Sequence, residues 1–302
     1  MKTSIAAVLI AGVAVFATSC SKSSPDEPTP TPPEPGKEKI EIKISPAIAE
    51  ARATDYGFET GDRIGLFVVN YNGSTPGTLA NSGNYVDNMR FTYNGTWTPD
   101  TPIYWQDNTT PADFYLYYPY ADVKSVNAYP FEVRADQSTE AAYKASDLMV
   151  GKAVNIAPTA SATQIPVSHV MSRIMLYLEA GNGFTKESLA AATVSVRING
   201  VKCSSTVNLA TGTATATGNS TSVTPLAADN AYKALIVPQT VAEGNLITVT
   251  VDGREFNLKK GFTFVGAKSH KFTVTLSKTS NGVNVGINPW TDDGTDNGGT
   301  AE

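Results

Sequence analysis

Two histidines and two cysteines supply all the imidazole and thiol chemistry of this 302-residue chain. Ser168 and His169 are neighbours inside "IPVSHVMSRIMLYL". A strand turns adjacent side chains to opposite faces, so they are poorly placed as nucleophile and base, and His169 reads as a structural histidine. His270, in "GAKSHKF", reads as an exposed residue at a strand entry. Two histidines cannot build a His cluster, and Cys203, the single thiol beyond Cys20, can build neither a disulfide in the body nor a Cys-rich metal site. A Walker loop, a Gly-x-Ser-x-Gly elbow and a His-Glu-x-x-His helix are all missing from the sequence. Asp292, Asp293 and Asp296 sit in "TDDGTDNGGTAE" without the spacing of a calcium loop and read as a solvated tail. No catalytic residue, metal or cofactor is expected.

Three features with possible chemistry remain. The first is Cys20. Lys2 precedes a short apolar run from Ile5 to Phe16, then Ala17, Thr18 and Ser19, then the cysteine. The run is the length of a signal-peptide core and too short to span a bilayer. Its end resembles the lipobox of bacterial lipoproteins, which implies cleavage before Cys20 and acylation of its sulfur. An ordinary secretory signal ending near a cysteine is the other reading. The second feature is aromatic. Trp97, Trp105, Tyr115, Tyr117, Tyr118 and Tyr120 read either as a sugar-stacking platform or as core and sheet-surface residues, since aromatics are ordinary strand formers. The third is Arg52, in "AIAEARATDYGFETGDRIGLF" (47–67), with no obvious acid partner. On its own it reads as a solvated loop charge.

The elements that must position these residues are mostly strands. After Cys20, "SKSSPDEPTPTPPEPGKE" (21–38) is Pro-rich and free of large apolar residues, which predicts an extended tether. From Lys39 the dominant period is two. Ile40, Ile42 and Ile44 alternate with polar residues, as do Val194, Val196 and Ile198, then Ile247, Val249 and Val251, then Phe272, Val274 and Leu276, then Val283, Val285 and Ile287. Strands with one face in and one face out are written this way. Asp252-Gly253 between alternating runs predicts a hairpin. "SVRINGVKC" has the same strand-turn-strand cadence. "IGLFVV" (64–69) and "DFYLYYPY" (113–120) are apolar on both faces, as central or covered strands would be. Short helices are expected only in "TEAAYKASDLM" (139–149) and "TKESLAAA" (185–192).

Length and turn frequency favour an all-β chain with two β-sandwich domains. The expected divisions are a signal segment 1–20, a tether 21–38, a first domain 39–163, a second domain 164–290 and an acidic tail 291–302. The net charge of -5, without a Lys/Arg cluster, argues against nucleic-acid binding.

Several elements, taken in order, resemble the fimbrillin family of type V pilus subunits. They are "ATDYGFETGDRIGLF", Tyr104-Trp105, "DFYLYYPY", Asp147-Leu148-Met149, His169 with Met171-Ser172-Arg173-Ile174, "ALIVPQ" (234–239), and Trp290 after "GINP". The resemblance implies two transthyretin-like Greek-key sandwiches exported as an outer-membrane lipoprotein, lipidated at Cys20, and then part of a cell-surface fimbrium. It also implies cutting between Arg52 and Ala53, which removes the first strand (Ile40, Ile42, Ile44) together with the lipid, and refilling of the groove by a strand from another subunit. The implied donor is the C-terminal segment, with Val283, Val285, Ile287 and Trp290. That segment reads equally as the last strand of its own domain. Implied partners are other pilus subunits, the outer membrane before maturation, and a host or bacterial surface receptor. A lipid-anchored glycan-binding protein that does not polymerise is the alternative.

Overall fold

The alternating runs at 194–198, 247–251 and 272–276 do form strands. The computed structural model describes residues 39–48, 57–228, 230–278 and 299–301. Cys20, Arg52, Ala53, Val283, Val285, Ile287, Trp290 and the acids at 292, 293 and 296 lie outside the described residues. In chain order the elements are β1 (Ile44–Ile48), β2 (Arg63–Asn70), β3 (Val86–Tyr93), β4 (Trp97–Pro99), β5 (Ala112–Tyr118), β6 (Tyr129–Glu132), α1 (Glu140–Ala145), β7 (Met149–Ile156), β8 (Thr163–His169) and β9 (Ser172–Ala180). There follow α2 (Lys186–Ala191), β10 (Val194–Asn208), β11 (Thr213–Val223), β12 (Leu226–Ala228), β13 (Ala231–Ile236), β14 (Gln239–Val241), β15 (Asn245–Val251), β16 (Arg254–Lys259), β17 (Phe262–Phe264), β18 (Ser269–Leu276) and β19 (Gly299–Ala301). The fold is all-β with sandwich-like sheets. Both short helices form where expected, each capped by a threonine side chain, Thr139 or Thr185.

The first sheet runs β1-β8-β7-β5-β2-β3-β4. Its central strands, β2 and β5, are the two segments apolar on both faces, and the structure gives the reason. Ile64, Leu66, Val68, Phe114 and Leu116 enter one core with Ile42 and Ile44. Phe67, Val69, Tyr115 and Tyr117 enter a second core on the opposite face. Gly65 is required there because a Cβ would sit 2.1 Å from the Tyr117 ring. That ring is fixed by its hydroxyl, which donates to the Ala121 carbonyl at 2.6 Å.

Two further large sheets follow, β11-β10-β15-β16 with β6 beside β10, and β12-β13-β9-β18-β19, while β14 and β17 pair as a separate short ribbon. Val196, Ile198, Val249 and Phe256 of one meet Ile174, Leu176, Phe272 and Val274 of the other within the second core. The predicted hairpin is present, since Asp252 and Gly253 have φ of 50° and 83° and join β15 to β16. The left-handed backbone at both positions suits the twist of the flanking strands. "SVRINGVKC" is different. It is one long strand, β10, with a register irregularity beside Gly200 (φ 74°) in place of a turn. Elements cross the expected division at 163/164 in both directions. β8 belongs to the first sheet, while β6 pairs with β10. Gln137, fully buried, both donates to the Leu235 carbonyl and accepts from the Leu235 amide at 2.8 Å.

His270 corrects the exposed reading. It is 2% exposed, its Nε2 accepts from the Val265 amide at 3.2 Å, and Phe262 meets its ring edge-on. The strand entry faces the core because the short ribbon β14-β17 covers it, an arrangement that local periodicity does not report.

Candidate functional site: the seat of the first strand

Residues 40–48 close the first core. Ile42 and Ile44 are 1% and 5% exposed, packed with Ile64, Leu66, Phe91, Phe114 and Val167, while Ile40 and Ile48 lie partly buried at its rim. Alternation puts Ile42 and Ile44 on the same face, and Lys43 between them is exposed. The segment is held on both sides. On one, Ile42 N–H donates to the Ile103 carbonyl and Trp105 N–H to the Ile40 carbonyl, both at 2.9 Å, around an antiparallel bridge from Glu41 to Tyr104. On the other, Thr163 N–H donates to the Lys43 carbonyl at 2.8 Å and β1 runs parallel to β8, from Ile44 opposite Thr163 to Ile48 opposite Val167. The regular ladder therefore spans 44–48, later than the "KIEIKIS" period suggests.

Backbone direction follows from that ladder. In a parallel pair, alternate residues aim both main-chain groups at the partner. The Lys43 bond sets the phase, so Ser45 and Ala47 face β8 while Ile44, Pro46 and Ile48 face the other way, where among the described residues β1 ends the sheet. Pro46 has no N–H to offer there, which blunts the edge against further pairing. Trp105 forms the wall of the seat. It is 4% exposed, meets Phe114 edge-on at 5.5 Å between ring centres, and its indole N–H donates to the Thr159 carbonyl at 3.1 Å. Burying two isoleucines fully contributes about 3–6 kcal/mol at about 1.5–3 kcal/mol each. Net domain stabilities are about 5–15 kcal/mol, so emptying this seat removes a large share of the total.

The other candidate features do not converge on a site. Of the six rings considered as a platform, Trp105, Tyr115 and Tyr117 are buried, and Tyr115 and Tyr117 face the opposite core from Trp105. Trp97 is half-buried, with Phe58 edge-on to it at 4.9 Å. Together they present no common stacking surface. Cys203 is buried, and burial pushes its thiol pKa up, away from the reactive thiolate. Among the described residues no group of His, Cys, Asp and Glu is arranged to hold a metal ion.

A family model described as fimbrillin-like matches residues 51–290. The chain belongs to the fimbrillin-like family. A protein named as fimbrium subunit Fim1C, from Bacteroides uniformis, is 27% identical over 255 residues, covering 80% of this chain and 81% of its own. One named as a fimbrium tip subunit, from Bacteroides ovatus, is 28% identical over 169 residues, covering 51% of this chain and 29% of its own. A Bacteroides uniformis protein named for cell adhesion shares the fold, with a TM-score of 0.63 at 21% identity over 89% of this chain and 99% of that one.

Within this fimbrillin-like chain, the histidine of the quoted family elements has a structural partner. His169 Nδ1 lies 2.8 Å from Asp147 Oδ1, joining the end of β8 to the residue pair before β7. That hydrogen bond to the carboxylate raises the His169 pKa against the opposing effect of burial. A raised folded-state pKa stabilises the fold fully below the unfolded value of about 6.5, and the gain is lost as pH rises through the folded value. Asp147→Asn is therefore expected to lower unfolding free energy by about 1 kcal/mol more at pH 5.5 than at pH 9, a charged hydrogen bond discounted for the exposure of the imidazole. Urea unfolding at the two pH values measures the difference.

The residues of the seat other than the first strand are those least visible in the sequence. Ile103 and Trp105 lie outside any regular strand, and Thr163, Ile165 and Val167 pair with β1 across more than a hundred residues of chain. The Tyr104-Trp105 pair was the one available signal, and it carries no hint of what the indole covers.

Proposed function

We propose that this fimbrillin-like protein is a structural, non-enzymatic subunit of a cell-surface fimbrium that assembles by strand replacement. It is exported as an outer-membrane lipoprotein held by acylated Cys20. Cutting between Arg52 and Ala53 releases Cys20, the tether and the strand carrying Ile40, Ile42 and Ile44 in one piece. Another subunit then supplies a strand to the empty seat, and head-to-tail repetition of a contact that does not close makes a filament. Val283, Val285 and Ile287, with Trp290 as an anchor, are the residues proposed to be donated. Surface adhesion follows from the filament, toward a receptor on a host or bacterial cell.

The observation that carries this reading is the seat. The residues upstream of Arg52 include a strand whose two isoleucines complete a core, yet which is tied to the rest of its sheet by a parallel ladder and one antiparallel bridge. Removing it would expose both apolar surface and unpaired main-chain groups, and an extended segment satisfies both at once. Two similarities support it. The family match begins at residue 51, beyond that strand, and ends at residue 290, including the segment proposed as donor. A relative covering 81% of its own length is named as a fimbrium subunit. Arg52→Ala tests the reading. Cells expressing it are expected to retain full-length lipidated chain and to lack the high-mass ladders expected of the parent protein in unheated gels. Ladders of parental length from Arg52→Ala would exclude this route of assembly.

A further inference from the structure

The sheet that contains β10 has two unlike edges. β16 carries Arg254, Glu255 and Lys259, all exposed, as edges that avoid pairing commonly do. β11, at the other edge, reads "TATATGNSTSV" and has no charged residue and no proline. Among the described residues β11 pairs only with β10, so its second side is an open row of main-chain donors and acceptors.

The direction of those groups can be worked out. Cys203 C=O accepts from Val133 N–H at 3.0 Å, and β6 lies opposite Ser204–Val207. Residues 203, 205 and 207 therefore face β6, and Ser204 and Thr206 face β11. Their register partners, Thr217 and Thr215, turn back toward β10. Ala214 and Ala216 then point their N–H and C=O groups outward. Their methyl groups pack partly against the second core, while Thr213 and Thr215 are exposed on the other face. At Gly218 (φ 76°) the register shifts, which ends the flat stretch at Thr217.

We propose that the edge 213–217 is a docking surface for the same edge of a second copy of this chain. The sequence "TATAT" reads the same in both directions. A two-fold axis through Thr215 places Thr213 opposite Thr217, Ala214 opposite Ala216, and Thr215 opposite itself. The outward main-chain groups of Ala214 and Ala216 then exchange bonds with those of Ala216 and Ala214 across the axis. Threonine faces threonine on the solvent side, a favourable cross-strand pair, and alanine faces alanine on the core side, so both sheets continue into one. The absence of charge suits a copy of itself better than an acidic or basic partner. Five residues a side make a weak contact between two molecules. On a filament of the kind proposed above the contact would repeat, and avidity would hold filaments side by side; that consequence rests on the filament reading, whereas the pairing does not.

The test uses the uncut full-length chain with Cys20→Ser, in which the first strand fills its seat and strand replacement cannot produce a dimer. Thr215→Cys is compared with Glu255→Cys on the charged edge, under mild oxidation, with circular dichroism to confirm folding. Facing residues in such a pair come close enough for a disulfide, so Thr215→Cys is expected to form dimer about tenfold faster or more than Glu255→Cys. Sedimentation is expected to show concentration-dependent dimer for the Cys20→Ser chain and its loss with Thr215→Lys. Equal crosslinking rates, a strictly monomeric parent, or a dimer that Thr215→Lys leaves unchanged would overturn the proposal.

Discussion

A chain that begins at Ala53 is expected to lose about 3–6 kcal/mol of stability relative to the intact body, from the two isoleucines alone. Ile42 and Ile44 leave the first core, the Trp105 amide loses the Ile40 carbonyl, and the ladder along β8 loses its partner. A peptide of residues 39–48 added in trans is expected to restore the loss in proportion to its concentration, because it binds the folded body and not the unfolded chain. The indole of Trp105 gives a direct readout. It is buried with the strand in place, so its emission is expected to shift to the red in the shortened chain and to return with peptide. Trp105→Phe supplies the background from Trp97 and Trp290. A shortened chain as stable as the intact one, or one indifferent to the peptide, would show that the first strand is not a replaceable part of the core.

Replacing the wall of the seat has the second largest expected effect. Trp105→Ala removes a buried aromatic, with a cost of about 3–5 kcal/mol. It also strips the Thr159 carbonyl of its indole donor and leaves Ile42 and Phe114 facing a cavity. The uncut variant is expected to show early thermal unfolding and fast protease cleavage within residues 39–48, because the strand remains attached but is poorly held. A glycan-stacking role predicts otherwise, namely normal stability with lost sugar binding. Burial of this ring at 4% exposure favours the structural outcome. Tyr85→Ala, at a ring 42% exposed, is the contrasting variant and is expected to cost far less.

How much of this was legible in the sequence depends on which property is asked about. Local pattern reports which face a residue takes. Alternation at Val194, Val196 and Ile198 marked a strand, and Asp252-Gly253 marked a hairpin, because each depends on neighbours in the chain. It does not report partners. That β1 would lie parallel to β8, with residues 103–105 on its other side, depends on contacts far apart in sequence. The double apolar character of "IGLFVV" and "DFYLYYPY" was visible, but the second core that explains it is assembled from strands on both sides of residue 163. The same distance effect explains two differences. "SVRINGVKC" looks like a hairpin because Asn-Gly usually turns a chain, yet β11 and β15 hold it as one strand. His270 looks exposed beside lysines, yet aromatic residues of another ribbon cover it. For the seat, the strand that fills it could be read and the walls could not.

The central claim is that one cut after Arg52 empties the seat for a strand from another subunit. Mass spectrometry of the N-terminus of protein taken from isolated surface filaments tests it most directly. The account predicts a chain starting at Ala53, with the acylated Cys20 peptide absent from the polymer. Filaments built of chains that still begin at acylated Cys20 would contradict it.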